Sequence, residues 1–426
     1  MTALFLGIDI GTSGVRACAV DDEVRVVGAA SVALPAPHQD GPAIDQEPEL
    51  WWRATCDAIQ ALGRSVDLAS VQRIAIDGTS GTLLLTDVAG RPCSLGLMYN
   101  DARATGEAAR IKAVAPAESG AHGPSAALAK LLHLLGSGIQ AEIRHAVHQA
   151  DWIAGRLATR HGISDENNAL KLGYDPVARA WPGWLDALDV PRPLLPEVLV
   201  PGSVLGPIDP KIAVALGLPA TATICVGTTD GVASFIATRA SAVGDAVTSL
   251  GTTLVLKLLS DRPVFAPGQG VYSHRLGDRW LAGGASNSGG AALLAHFSAD
   301  RMAELTPRLD PARPTGLDYY PLPKPGERFP VSDPALAPRV SPRPADDAQF
   351  FQGLLEGIAA IEAQAYEGLH NLGAPALQRV ISIGGGARNA AWTEIRRRTL
   401  RVPVTVAQET EASYGAALLA LHGGPP

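Results

Sequence analysis

Two carboxylates in this chain of 426 residues stand where an apolar run gives way to a glycine-bearing turn. Asp230 lies in Gly227-Thr228-Thr229-Asp230-Gly231, directly after the apolar stretch Thr223 to Val226. A carboxylate held there is suited to take a proton from an attacking hydroxyl, the base task in direct phosphoryl transfer. An Asp-Gly pair is also a routine turn former, so its company decides its weight. Asp9 closes the apolar stretch Leu4 to Ile10 and precedes Gly11-Thr12-Ser13-Gly14. Two glycines let backbone N–H groups approach an anion, and the hydroxyls of Thr12 and Ser13 add donors. Asp9 is placed to hold a Mg²⁺ ion through water, since that ion keeps most of its hydration shell. Taken alone, such a turn is more often a plain hairpin. A second copy, Gly251-Thr252-Thr253, changes the weighing, because paired turns of this kind suit the two sides of a polyphosphate.

Two further small-residue stretches suit a nucleotide. Ile383-Gly384-Gly385-Gly386-Ala387-Arg388-Asn389 offers a flat backbone surface for a planar base, with Asn389 and Trp392 placed to close the pocket. Gly283-Gly284-Ala285-Ser286-Asn287-Ser288-Gly289-Gly290 suits the opposite wall, through Gly284. No glycine-rich stretch ends in Gly-Lys-Ser or Gly-Lys-Thr, and no Gly-x-Gly-x-x-Gly opens a βαβ unit, so classical P-loop and Rossmann readings are poor.

These groups need strands to carry them. The alternation predicts strands at Leu4 to Ile10, Val15 to Val20, Val24 to Val32, Arg73 to Ile76 and Thr82 to Thr86, and later at Thr223 to Val226, Ala246 to Leu250, Thr253 to Leu258 and Arg379 to Ile383. Helical spacing covers Glu47 to Leu62, Ser125 to Leu135, Gln140 to Thr159, Gln349 to Leu372 and Glu411 to Leu421. The proline-rich stretches Pro176 to Pro219 and Pro307 to Pro344 read as loops, the second running over the surface. Ile8-Asp9-Ile10-Gly11-Thr12-Ser13 is echoed by Thr248-Ser249-Leu250-Gly251-Thr252-Thr253, and Ile74 to Gly78 by Ile381 to Gly385. Together the echoes predict two lobes of one plan, residues 1–237 and 238–426.

Composition narrows the class. Hydrophobic residues make up 46% and charged residues 18%, which argues for folded domains, and a net charge of -7 argues against a nucleic-acid partner. The cluster Arg396, Arg397 and Arg398 is short and fits one helix. Cys18, Cys56, Cys93 and Cys225 are scattered, without metal-ligand or redox spacing. His145 and His148 have i, i+3 spacing without a third ligand and read as a helix face. Trp51 and Trp52 suit core packing, and Asp346 and Asp347 a helix start. No signal peptide or membrane span is evident, so a cytoplasmic protein is expected.

The motifs together resemble the FGGY carbohydrate kinases over nearly the whole chain: Gly7 to Ser13, Ser249 to Thr253, Gly384 to Asn389, and Asp230 where that family carries its catalytic aspartate. The resemblance implies an α/β, ribonuclease H-like (actin-like ATPase) fold with mixed sheets flanked by helices, and transfer of the ATP γ-phosphate to a sugar hydroxyl with Mg²⁺. It also implies a small-molecule partner and a monomer or homodimer. Ile76 to Thr82 and Asn168 to Asp175 resemble a subgroup of plant and cyanobacterial kinases acting on D-ribulose, which implies that Asp9, Ser80 and Asp230 bind the sugar. Leu97 to Arg103 is similar to a segment lining the sugar in many members and implies a contact from Asp101. D-xylulose, L-ribulose or a polyol remain as acceptors, and an actin-like ATP-binding sugar sensor or switch is the alternative of another class.

Overall fold

The computed structural model describes residues 2–139 and 141–425. The chain forms two compact units. The first takes in the chain up to Arg239, the short segment His274–Gly277 and everything from Glu411 onward; the second comprises Ala240–Ser273 and Asp278–Thr410.

The first unit is built on a six-stranded mixed sheet. Its strands run in the order Val204–Pro207, Thr223–Thr229, Val71–Gly78, Leu4–Ile10, Gly14–Val20, Val26–Ala33. Leu4–Ile10 and Gly14–Val20 form the expected hairpin, while Leu4–Ile10, Val71–Gly78 and Thr223–Thr229 are parallel neighbours. Parallel strands buried on both faces read as continuous apolar runs, and every residue of Leu4–Ile10 is buried. Leu6, Ile8 and Ile10 pack with Trp51, Ala58 and Ile59 of helix Pro48–Leu62, which begins with proline in its first turn. The closing helix Ala412–His422 covers the other face so closely that a Cβ on Gly7 would lie 1.9 Å from the Ser413 carbonyl.

The second unit repeats the plan. Its sheet runs Arg279–Ser286, Leu254–Ser260, Asp245–Leu250, Arg379–Ile383, Val404–Val406. Asp245–Leu250 is antiparallel to Leu254–Ser260 and parallel to Arg379–Ile383, as Leu4–Ile10 is to its own two neighbours. The sequence echoes thus correspond to matching strands. The long helix Asp347–Asn371 is capped by Asp346, whose side chain accepts from the Ala348 N–H, and packs with Ala390–Leu400 over this sheet.

Several expectations are corrected. The helix expected over Gln140 to Thr159 is a strand, His145–His148, followed by helix Gln149–Ala158; Gln140 itself lies outside the described residues. His145–His148 pairs antiparallel with Leu83–Thr86, so sheet pairing overrides helical spacing. The two histidines therefore share a strand, and His148 is buried against Asp151, 3.1 Å away. The 307–344 stretch is irregular, but Tyr319, Tyr320, Leu322 and Phe329 are buried in the second unit's core. Arg396, Arg397 and Arg398 do share one helix, Ala390–Leu400, as expected, and Arg396 is fully buried there, bound to Glu362 at 2.6 Å. Trp51 is core, while Trp52 lies under the Arg156 guanidinium. All four cysteines are free thiols.

Candidate active site

In the first unit the carboxyl ends of three parallel strands carry the acidic groups together. Asp9 is the register partner of Asp77, and Asp77 that of Thr228, two residues before Asp230. Clefts at the carboxyl ends of parallel strands are the usual ligand sites of α/β sheets. Gly227 permits this strand its irregularity, because a Cβ there would lie 1.5 Å from the Ile76 carbonyl oxygen. Asp230 is the first residue of helix Asp230–Ala237 and accepts the Gly231 N–H at 2.6 Å, where the helix dipole favours its negative charge.

Asp9 is buried and bound by Arg16, Nη1 to Oδ2 at 2.9 Å. Burial raises its pKa, opposed by the Arg16 charge. Asp77 is fully buried, and among the described residues no N–H reaches either of its oxygens; its polar neighbour is the Asp9 carboxyl. Burial first, then the charges of Asp9 and Asp230, push the Asp77 pKa well above the ordinary carboxylate range. Asp77 is not among the residues singled out from the sequence; the signal that finds it is an apolar strand ending in Asp, as at Asp9.

Beside this trio the turn Thr79 to Thr82 is fixed from several sides. Gln149 Oε1 accepts the Thr79 N–H at 3.2 Å and its hydroxyl at 2.9 Å, and the Thr79 and Thr82 hydroxyls lie 2.5 Å apart. Lys130 Nζ donates to the Gly81 carbonyl at 2.8 Å and to that of Met98 at 2.6 Å. Lys171 Nζ donates to the Ser80 carbonyl at 3.0 Å. The Ser80 hydroxyl is buried with no partner among the described residues. Lys130 is fully buried, and desolvation pulls its pKa down to about 7. Asp101 is a scaffold carboxylate: fully buried, it accepts the Ile44 N–H at 2.6 Å and Arg103 Nε at 2.8 Å, so its oxygens are engaged within the protein.

The first hairpin turn is closed by the Gly11 N–H on the Gly14 carbonyl, 3.0 Å, leaving Thr12 half-buried and Ser13 exposed. In the second unit, Gly290 and Ala291 donate to the Gly251 and Thr252 carbonyls at 2.8 and 3.0 Å, with Thr252 exposed and Thr253 half-buried. The glycines at 289 and 290 thus serve close packing on that turn. Gly284 abuts the Phe329 ring, so its missing Cβ makes room for a core side chain. Gly385 is exposed with nothing within 4 Å of where a Cβ would be. Gly386 is backed by Trp392, whose ring is buried and whose Nε1 donates to the Leu355 carbonyl at 3.2 Å. Asn389 caps its helix, accepting the Trp392 N–H at 3.0 Å.

A hard cation fits the first-unit corner in one way. Among the described residues no three His, Cys, Asp or Glu are arranged to hold a metal unaided. The Asp9 and Asp77 carboxyls offer oxygens to an ion that arrives with its own waters and phosphate ligands, as Mg²⁺ does. Among the described residues no helix is long and apolar enough to cross a membrane.

Comparison with known proteins agrees with this architecture. Residues 4–237 match the N-terminal domain and residues 246–424 the C-terminal domain of the FGGY family of carbohydrate kinases. The xylulose kinase of Escherichia coli strain K12 is 27% identical over 414 residues, covering 92% of this chain and 84% of that protein. The gluconokinase of Bacillus subtilis strain 168 is 22% identical over 467 residues, covering 99% and 88%. The crystal structure of a xylulose kinase from Brucella ovis superposes with a TM-score of 0.89 at 25% identity, covering 99% of this chain and 90% of that one. The fold is that of the actin-like ATPases, and members of the family use ATP, typically with Mg²⁺. With both of its domain models matched in order along the chain, this protein belongs to the FGGY family of carbohydrate kinases and is an ATP-dependent sugar kinase.

Proposed function

We propose that the enzyme phosphorylates the primary hydroxyl of a ketopentose, D-ribulose to D-ribulose 5-phosphate, with Asp230 as the base. The observation that carries the site assignment is the meeting of Asp9, Asp77 and Asp230 at neighbouring strand ends, beside an unpartnered Ser80 hydroxyl. The hydroxyl oxygen forms its bond to the γ-phosphorus as the bond from that phosphorus to the β,γ-bridging oxygen breaks. Its proton passes to Asp230, and ADP leaves. Asp9 and Ser80 hold the sugar. Thr12, Ser13, Thr252 and Thr253 donate to the phosphates, while Gly385, Gly386 and Asn389 receive the base. Mg²⁺, when bound with ATP through waters at Asp9, supplies positive charge to the phosphate oxygens. We assign the sugar to residues 1–237 and the nucleotide to 238–426, in a cytoplasmic enzyme.

Support for D-ribulose lies in the resemblance of Ile76 to Thr82 and Asn168 to Asp175 to the ribulose-acting subgroup. D-xylulose is a second acceptor to consider, because the relatives include xylulose kinases. The test is ADP release with Mg-ATP across D-ribulose, D-xylulose, L-ribulose, gluconate, glycerol and pentitols. Stimulation by D-ribulose above the rest is expected; greater stimulation by D-xylulose reassigns the acceptor. Asp230→Ala should lose about 10²-fold or more in turnover, and a loss of under about 3-fold removes Asp230 from the role.

A further inference from the structure

The proline-rich stretch 307–344 carries a buried carboxylate, Glu327, that has no part in the chemistry described above. Its Oε1 accepts the Asn287 N–H at 2.7 Å and the Arg328 N–H at 2.8 Å. Its Oε2 accepts the Ser286 hydroxyl at 2.6 Å and the Tyr320 hydroxyl at 3.0 Å. The Arg328 guanidinium donates from Nε to Asn287 Oδ1 instead, at 2.7 Å, so four neutral donors hold this anion. What they hold is the end of the strand Arg279–Ser286 and the segment after it. The Ser286 hydroxyl oxygen also accepts the Ser288 N–H at 3.0 Å, and the Ser288 hydroxyl donates to the Pro321 carbonyl at 2.6 Å. The Ser288 carbonyl accepts the Leu254 N–H at 2.8 Å, just past the turn whose Gly251 and Thr252 carbonyls take the Gly290 and Ala291 N–H groups. Between these bonds lie two adjacent glycines, Gly289 at φ 135°, which impose no conformation of their own. Order in this segment therefore comes from outside it, and Glu327 supplies the bonds at its start.

We propose that Glu327 is a positioning residue for the nucleotide phosphates. Through Ser286 and Asn287 it fixes the segment that sets the Gly251–Thr253 turn, and so aims the donors of that turn. This rests on the phosphate role given above to Thr252 and Thr253 and deepens it. The carboxylate itself is no phosphate ligand, since both of its oxygens are engaged within the fold and its charge would repel an anion. Donors fixed in advance serve a developing charge without reorganising as it forms, which gives their supports a measurable part in binding and transfer. The geometry also separates two substitutions. In Glu327→Gln the amide oxygen still accepts the two backbone N–H groups, while its NH2 donates to the two hydroxyls, which accept as readily as they donate. In Glu327→Met the volume is kept and every acceptor is lost.

The experiment measures binding of ADP and of adenosine by calorimetry to wild type, Glu327→Met and Glu327→Gln. In Glu327→Met the Kd for ADP should rise roughly 10- to 100-fold, the scale of a lost charge-assisted bond, and that for adenosine less than about 3-fold. Glu327→Gln should recover most of the ADP affinity. A residue that only held the fold together would weaken both ligands alike, because adenosine carries no phosphate. If Glu327→Met does not fold, Ser286→Ala takes its place; it leaves the Ser288 N–H without its acceptor, and the same ADP-selective loss is expected. Equal losses for the two ligands, an unchanged ADP affinity, or no recovery in Glu327→Gln would overturn the Glu327 assignment while leaving the kinase assignment standing. A wild type that binds adenosine as tightly as ADP would overturn the phosphate role of the turn as well.

Discussion

Removing Arg396 tests how the second unit holds its two glycine turns. Arg396 Nε and Nη2 bind the Glu362 carboxylate at 2.6 and 2.7 Å, and Nη1 binds the Ser382 hydroxyl at 2.6 Å. Glu362 Oε1 also accepts the Thr248 hydroxyl at 2.6 Å, which lies 2.7 Å from that of Tyr366. Arg396 and Glu362 are both fully buried. Thr248 and Ser382 are register partners in neighbouring strands, so the network ties together the strands leading to Gly251 and Gly384. Arg396→Met strands the Glu362 charge, a defect of about 3–5 kcal/mol. For a unit of this size that corresponds to roughly 6–20 °C in Tm. Adding Glu362→Leu removes the stranded charge, leaving hydroxyl partners to find at about 1 kcal/mol each. Denaturation followed by tryptophan fluorescence, with ADP affinity measured in parallel, should show a large loss in the single variant and partial recovery in the double. A single variant within about 1 kcal/mol of wild type, or a double variant no better than the single, would refute the assignment.

The site predicts its own pH and packing responses. Lys130 is pulled from 10.5 to about 7, so the unfolded chain binds more protons between those values and this group's contribution to stability rises with pH across that window. In Lys130→Met that rise should vanish, read as a Tm difference from wild type that widens from pH 6.5 to 9.5; a constant difference would contradict it. At Gly7 a Cβ would lie 1.9 Å from the Ser413 carbonyl and 2.2 Å from the Ala417 N–H, so Gly7→Ala should cost about 3 kcal/mol or more and deplete soluble protein. Gly385→Ala, with open space around it, should leave Tm within about 1 °C and reveal any nucleotide role as weaker ADP binding alone.

The motifs most legible in the sequence were those whose chemistry repeats. Strand, glycine turn and strand occur twice, and each copy is a hairpin at the middle of its sheet. What spacing could not reveal was which polar side chains the fold turns inward. Arg396 reads as one of three adjacent arginines on a helix, with nothing in that run to set it apart; it shares a helix face with Trp392 and Ile395, both buried, and that spacing of three and four was the available signal. Small residues report close approach without naming what approaches: Gly284 makes room for Phe329 and Gly386 for Trp392. Lys130 and Lys171 lie far along the chain from the turn they hold, and no local pattern announces such contacts. The closing helix gave no sign that it packs on the opening strand, apart from the small residues that permit it.

The buried polar groups of this protein divide in an informative way. Asp101, Asp245, Glu362 and Arg396 have their charges met by bonds within the fold. Asp77 Oδ1 and Oδ2, Ser80 Oγ and Gln149 Nε2 lack protein partners, and all belong to residues on or against one turn. A buried polar atom left unmatched costs about 1–3 kcal/mol, so clustering several in one corner is unfavourable for the empty enzyme. Other buried polar atoms without a partner, among them Thr55 Oγ1 and Thr86 Oγ1, lie elsewhere in the first unit, whereas these four adjoin Asp9 and Asp230. A polyhydroxylated sugar offers both donors and acceptors and is the kind of ligand that would meet them all. Under the proposed assignment, energy withheld from the resting fold would return on binding such a ligand, and an apolar or singly hydroxylated molecule of the same volume would recover little of it.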